Sequence, residues 1–231
     1  MLLFRSVEQL RRTTASQELF AVLRDEILAG RYAAGEKLPS QRTLAREYGL
    51  NATTVREAIK RLEQLRLVDV RHGDAMRVSD WRTASGLDVI AHVLFDPTGV
   101  NRETLRALME ARRWMLSVAA GLAAERRTDA QAEELRALAR VAAREQTADF
   151  TFFAGVVEAA GNIVFSLILN SVRPIYFEHA ALFDGLVTAD QHAMYERAAE
   201  AVARRDPEAA RAAVAELAER QERALEEALA G

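Results

Sequence analysis

Arg42, Asn51, Thr53, Thr54 and Arg56 lie close together in the chain and share one chemistry, the capture of phosphates and the reading of base edges. A guanidinium group presents paired donors that match a phosphate or the edge of a guanine. Hydroxyls at the first turn of a helix can meet phosphates or thymine methyls. The bland use of the same side chains is structural: threonines as caps, and Arg56 in a surface ion pair. Both uses depend on what scaffold holds them.

That scaffold is readable from spacing. Residues 38–62 read as a short helix, a tight turn at Tyr48-Gly49-Leu50 and a second helix opening on Asn51. Val55, Ala58, Ile59 and Leu62 recur at helical spacing, which predicts a buried stripe. Thr53, Thr54, Arg56 and Lys60 are left for the other face and the amino end. Such a helix, held by a partner across a tight turn, is shaped to enter a major groove. Residues 65–78 then read as two short alternating strands around a glycine turn, with His72-Gly73-Asp74 at the tip. A helix-turn-helix followed by a hairpin is a winged helix. Upstream, residues 15–30 predict an amphipathic helix with Leu19, Val22, Leu23, Glu26 and Ile27 inward and Gly30 as its carboxyl cap. Phe4 to Arg12 reads as a short extra helix or a loose arm.

The fold class expected is mainly α: an N-terminal winged helix-turn-helix over residues 1–78, a linker over 79–99 and an all-helical antiparallel bundle over 100–231. Within the linker, Ser79-Asp80 caps a helix expected from Trp81 to Leu94, and Asp96-Pro97-Thr98-Gly99 ends it. Beyond Val100 the periodicity is helical throughout. About six helices are expected, starting near Asn101, Asp129, Ala148, Asn162, Thr188 and Asp206. Asp206-Pro207-Glu208 is a strong start, with an aspartate cap, proline in the first turn and an acid beside it.

Charge separates the halves. Residues 1–78 hold 14 lysines and arginines against 10 acids, and the remainder holds 17 against 24. Polyanions are drawn to the first half and repelled by the second, so nucleic-acid contact is expected in the first alone. The chain contains no cysteine, which rules out disulfide scaffolds and thiolate chemistry. No apolar run approaches membrane-spanning length, and a cytoplasmic protein with no membrane contact is expected. No nucleophile–base pair or glycine-rich phosphate loop is evident, so the chain does not read as an enzyme.

The run from Gly35 to Ser40, the stretch Thr54-Val55-Arg56-Glu57-Ala58 and Arg71-His72-Gly73 together resemble the GntR family of bacterial transcription regulators. Trp81 to Ile90 and Ala160 to Ser171 are similar to the fatty-acid-responsive FadR branch of that family. The resemblance implies that Arg42, Thr53, Thr54 and Arg56 touch DNA, with His72 and Gly73 probing the minor groove from the wing tip. It further implies a homodimer on a palindromic double-stranded operator. Ala52 stands where FadR-like proteins have a basic residue, and Asp74 where they have lysine, so a different operator is expected.

The resemblance also implies an effector site in the bundle. Most relatives hold a metal there through one aspartate and three histidines. Here the aspartate is Asp149, and Phe153, Tyr195 and Leu217 fall on the histidine positions. One carboxylate among such neighbours is a poor metal site, so neither a metal nor another cofactor is expected; His192, one turn from Tyr195, is the one rescue. The apolar substitutions suit a fatty acid or acyl-CoA. Arg112 falls where relatives point an arginine at an acidic effector, and Tyr176 near a tyrosine tied to acyl-CoA. Arg112 could equally pair with Asp149, and Tyr176 could be plain core. A small carboxylate effector, or a ligand-independent dimer, stays open as an alternative.

Overall fold

The computed structural model describes the chain apart from residues 1, 71–74, 97–98, 145, 184 and 231, and apart from the side chains of 2–13, 146 and 230. It divides into two compact units, Met1–Val100 and Asn101–Gly231.

The first unit opens on α1 (Leu2–Leu28), which starts earlier than the helix expected at residue 15. Neither glycine nor proline occurs between Leu2 and Leu28, so nothing in the chain stops the helix from extending toward the amino end. It closes at Gly30, whose positive φ of 75° is available to glycine at little cost. The helix-turn-helix is α2 (Gln41–Glu47) and α3 (Ala52–Gln64). Between them Gly49 takes φ 63°, and the amides of Tyr48 and Leu50 return to the carbonyls of Leu44 and Ala45 at 3.0 and 2.9 Å. The turn thus closes the open carbonyls at the end of α2.

Leu44, Val55, Ala58, Ile59 and Leu62 are buried against Leu19, Leu23 and Ile27 of α1. The helical stripe legible in the sequence is therefore the core of this unit. The hairpin is shorter than its sequence suggests: β1 (Val68–Asp69) pairs antiparallel with β2 (Arg77–Val78), Val68 opposite Val78. Residues 35–38 run along the other side of β2, where Lys37 bridges Arg77 and the Leu38 amide donates to the Met76 carbonyl at 2.9 Å. The tip His72-Gly73-Asp74 lies outside the described residues.

The continuous helix expected over Trp81–Leu94 is broken into α4 (Trp81–Ala84), a 3-10 turn over Leu87–Val89 and α5 (Ile90–Leu94). Gly86 supplies the break: it is extended, and a Cβ there would meet the Arg66 guanidinium at 2.7 Å. A small antiparallel pair, β3 (Phe95–Asp96) with β4 (Gly99–Val100), ends the unit where sequence suggested only a helix stop.

The second unit is helical, with no strand among its described residues. Its long helices are α6 (Arg102–Arg126), α7 (Asp129–Ala142), α8 (Gln146–Ala159), α9 (Ile163–Glu178), then α11 (His192–Ala203) and α12 (Pro207–Ala230). The four-residue α10 (Ala180–Phe183) lies between α9 and α11. The starts agree with those expected to within a few residues, because the caps are encoded locally. Asn101 accepts from the Thr104 amide at 3.0 Å, and Thr128 forms a capping box with Gln131. Small residues, among them Ala119, Ala120, Ala123, Ala198, Ala199 and Ala210, let α6, α11 and α12 approach closely around a core that includes Phe152, Phe153 and Tyr195.

Candidate functional site

On the helix-turn-helix the sequence candidates separate into two kinds. Arg42, Thr53 and Arg56 are exposed, and among the described residues neither arginine forms an ion pair. Asn51 is exposed but committed: its side-chain oxygen accepts from the Thr54 amide at 2.9 Å as the cap of α3. The Thr54 hydroxyl lies 3.2 Å from the same oxygen, and the residue is buried. Asn51 and Thr54 therefore build the first turn of α3, while Thr53 and Arg56 are displayed from it. Lys60, also exposed, extends the same face. His72 and Gly73 fall outside the described residues, so the hairpin's contribution to this face rests on sequence.

All six bundle candidates, Arg112, Asp149, Phe153, Tyr176, Tyr195 and Leu217, are drawn inward, and Arg112 alone keeps partial exposure. Asp149, on α8, is fully buried and is the hub. Its Oδ1 accepts from the Tyr195 hydroxyl at 2.7 Å and from Gln221 Nε2 at 2.8 Å. Its Oδ2 faces Arg112 Nη2 at 3.4 Å. Gln221 Nε2 also reaches the Tyr195 oxygen at 2.6 Å, closing a triangle of α8, α11 and α12 side chains. A buried charge is tolerable when paired and hydrogen-bonded in this way.

Arg112 is engaged on several sides. Its guanidinium stacks over Phe153 at 4.8 Å from the ring centroid, faces Asp149 at one nitrogen and is electrostatically coupled to Tyr176. Burial opposes its charge, but a hydrogen bond with the Tyr176 hydroxyl, together with the Asp149 carboxylate, holds its pKa above the ordinary arginine value. Burial, followed by the Asp149 charge, pushes the Tyr195 phenol well up, and burial does the same to Tyr176 against the opposing pull of Arg112. Both phenols are thereby kept neutral and can serve as hydrogen-bond groups. Around them, Tyr176 stacks flat on Phe183 at 4.6 Å, and Phe152 meets Tyr195 edge-on at 5.3 Å.

Of the two readings open for Arg112, the pairing with Asp149 is the one the structure shows. Asp149 is not a lone carboxylate on an apolar floor, because Gln221 and Tyr195 bind it. Gln221 was the residue missed as part of the site, although its place one helical turn beyond Leu217 puts both on one face of α12. The rescue by His192 also fails: that ring is half exposed and lies 3.5 Å from Glu196. A carboxylate with Phe153, Tyr195 and Leu217 does not fit a metal. Among the described residues no three His, Cys, Asp or Glu side chains are grouped to hold one.

A helix-turn-helix with an exposed polar first turn, followed in the chain by a separate helical unit, is the arrangement of a DNA-binding regulator with a second, C-terminal domain. Residues 15–78 match the family model described as "Bacterial regulatory proteins, gntR family", and residues 107–220 match the FCD domain. The chain is 33% identical over 222 residues to the HTH-type transcriptional regulator Mce2R of Mycobacterium tuberculosis, covering 93% of this chain and 92% of that one. It is 27% identical over 162 residues to the fatty acid metabolism regulator protein of Escherichia coli, covering 66% and 65%. Its fold is similar to that of a solved structure described as Lar, which controls the agr system of Listeria monocytogenes, at TM-score 0.53 and 17% identity over 92% of this chain and 96% of that one. The chain belongs to the GntR family, with an FCD domain as its C-terminal ligand-binding unit. It is a DNA-binding transcription regulator and not an enzyme. Among its described residues no helix is long and apolar enough to cross a membrane.

Proposed function

We propose that this chain is a homodimeric repressor that reads a palindromic operator through Arg42, Thr53 and Arg56 and releases it when an acyl-chain effector enters the bundle. The exposed guanidinium group of Arg42 on α2, with the exposed hydroxyl of Thr53 and guanidinium of Arg56 near the start of α3, carries the DNA part of this reading. Asn51 and Thr54 set the backbone of the first turn of α3, and His72 with Gly73 adds the wing tip. Two-fold pairing places two such helices about one duplex turn apart, which makes the operator palindromic. The regulator acts where its DNA is, in the bacterial cytoplasm.

The effector part rests on Phe153, Tyr195 and Leu217, which the family resemblance sets at the positions of metal ligands in most relatives. With Phe152, Phe183 and Tyr176 they make the centre of the bundle aromatic and aliphatic. An acyl chain is the ligand chemistry such apolar surroundings favour, as a fatty acid or as acyl-CoA. Burying about ten methylenes contributes a gross gain near 8 kcal/mol at roughly 0.8 kcal/mol each, before ordering costs. The small-carboxylate alternative loses ground because Arg112 already faces Asp149.

The test is to select bound fragments from genomic DNA, then titrate the recovered site with full-length protein by fluorescence anisotropy. A palindrome bound as a dimer, and released by lauroyl-CoA or dodecanoate but not by CoA alone, is the expected result. Binding of a non-palindromic site, or indifference to every acyl compound, overturns the corresponding half of the reading.

A further inference from the structure

The centre of the bundle is closed in charge but open in hydrogen bonding. Arg112 supplies one cation and Asp149 one carboxylate, 3.4 Å apart. The two phenols beside them, Tyr176 and Tyr195, stay neutral. Asp149 is already met by three donors, Tyr195 and Gln221 on one oxygen and Arg112 on the other. Gln221 spends its amide nitrogen on Asp149 and Tyr195, at 2.8 and 2.6 Å. Its amide oxygen Oε1, on a side chain with no solvent exposure, has no hydrogen-bond partner among the described residues.

A buried acceptor without a partner is costly, and a ligand that brings a donor relieves that cost. A second carboxylate brought here meets the opposite condition. It would lie beside the buried Asp149 charge, and like charges at short range in a poorly screened interior repel strongly. Arg112 does not offset it, because its charge already faces Asp149; its buried Nη1, which has no hydrogen-bond partner among the described residues, is met as well by a neutral carbonyl as by a carboxylate.

We infer that the effector group reaching the Asp149 centre is an uncharged hydrogen-bond donor, a hydroxyl or an amide N–H on an aliphatic chain, received by Gln221 Oε1. This inference rests on the acyl-chain reading above and narrows it: the free carboxylate is the form the centre disfavours. Gln221 becomes the residue that sets specificity, and Asp149 and Tyr195 position it.

Three probes of equal chain length separate charge from donor capacity: dodecanamide, methyl dodecanoate and dodecanoate. Each is titrated into full-length protein at pH 8 and followed by thermal shift and calorimetry. Dodecanamide is expected to bind at least tenfold more tightly than either of the others. In Gln221→Met, which keeps length and volume, the amide's advantage over the ester should disappear. Because the readout is a ratio between probes, a uniform loss of stability in the variant leaves it interpretable. The comparison in the unaltered protein stands without any variant. Tightest binding by dodecanoate overturns the inference and leaves the acyl-chain reading intact. Equal binding of amide and ester, or an amide preference that survives Gln221→Met, removes Gln221 as the recognition group. Failure of all three probes sinks the acyl-chain reading, and this inference with it.

Discussion

Arg56 and Arg112 carry the same charge in opposite settings. Arg56 stands in solvent on α3, without an ion pair among the described residues, above a fully apolar stripe of Val55, Ile59 and Leu62. Arg112 lies inside the bundle, stacked on Phe153 and facing Asp149. An exposed charge adds little to fold stability, so evolution can tune it for a partner. A buried one is bound into the stability of its domain, because removing a neighbour leaves it uncompensated. The first unit can therefore lose DNA affinity without losing its fold. The second cannot change its centre without changing its stability.

The largest effect should come from breaking that buried centre. Asp149→Ala leaves Arg112 without its carboxylate and frees the donors of Tyr195 and Gln221. Loss of one member of a buried pair costs about 3–5 kcal/mol. In urea unfolding of the full chain, the transition of the second unit should move by that amount while that of the first stays in place. Replacing both members, Arg112→Met with Asp149→Leu, should recover much of the loss, since no charge is then stranded. An Asp149→Ala protein as stable as the parent would mean the pair contributes nothing to the fold.

Arg56→Ala should give the reverse pattern. A bidentate arginine–guanine contact is worth roughly 1–3 kcal/mol, so operator affinity should fall about tenfold or more. Thermal stability should hardly change. Measuring the salt dependence sharpens this further: a phosphate contact lowers the slope of log affinity against log salt by about one, and a base contact leaves it alone. Unchanged affinity at matched salt removes Arg56 from the contact set.

The contrast also explains what could be read in the sequence. The first unit was legible because its information is local. Val55, Ala58, Ile59 and Leu62 announce the buried stripe by spacing, Gly49 the turn and Asn51 the cap. The bundle helices were legible for the same reason, through Thr128, Asp206 and similar starts. The linker was misread because the helical pattern of Trp81–Leu94 outweighed Gly86, whose lack of a Cβ serves a tertiary contact with Arg66. The centre of the bundle was only half legible. Asp149, Arg112 and Tyr195 are 37 to 83 residues apart in pairs, and no spacing rule joins residues from α6, α8, α11 and α12. Gln221 shares a face of α12 with Leu217, but its bond to Asp149 joins residues 72 positions apart, which no spacing shows.

A smaller effect separates capping from contact at Asn51. Its side chain holds the Thr54 amide, so Asn51→Ala should cost about 1 kcal/mol of stability in the first unit. Asn51→Ser restores a capping oxygen and should restore stability. If Asn51 serves DNA binding only through the cap, the serine variant also regains operator affinity. Recovered stability with lasting loss of affinity would show a direct contact with DNA.

The smallest expected effect concerns His92, in α5. Its ring is half buried, meets Phe20 edge-on at 5.9 Å and lies 3.2 Å from Arg24 Nη1 through Nδ1. Arginine can only donate, so this nitrogen accepts and the ring is held neutral, with its proton on Nε2. Burial first, and Arg24 second, hold its pKa below the ordinary value of 6.5, against weaker pulls from Asp25 and Asp88. The folded state therefore gives up the His92 proton more readily than the unfolded chain does. Stability from the neutral ring is fully present above about pH 6.5 and is lost as pH falls through the folded value. Unfolding of the first unit should be less favourable at pH 7.5 than at pH 5.5. His92→Gln, which keeps an acceptor for Arg24 but does not titrate, should flatten that difference, measured as the slope of unfolding free energy against pH. Equal slopes for the parent and the variant would show that the ring takes its proton in place, and that its contact with Arg24 carries no weight in the fold.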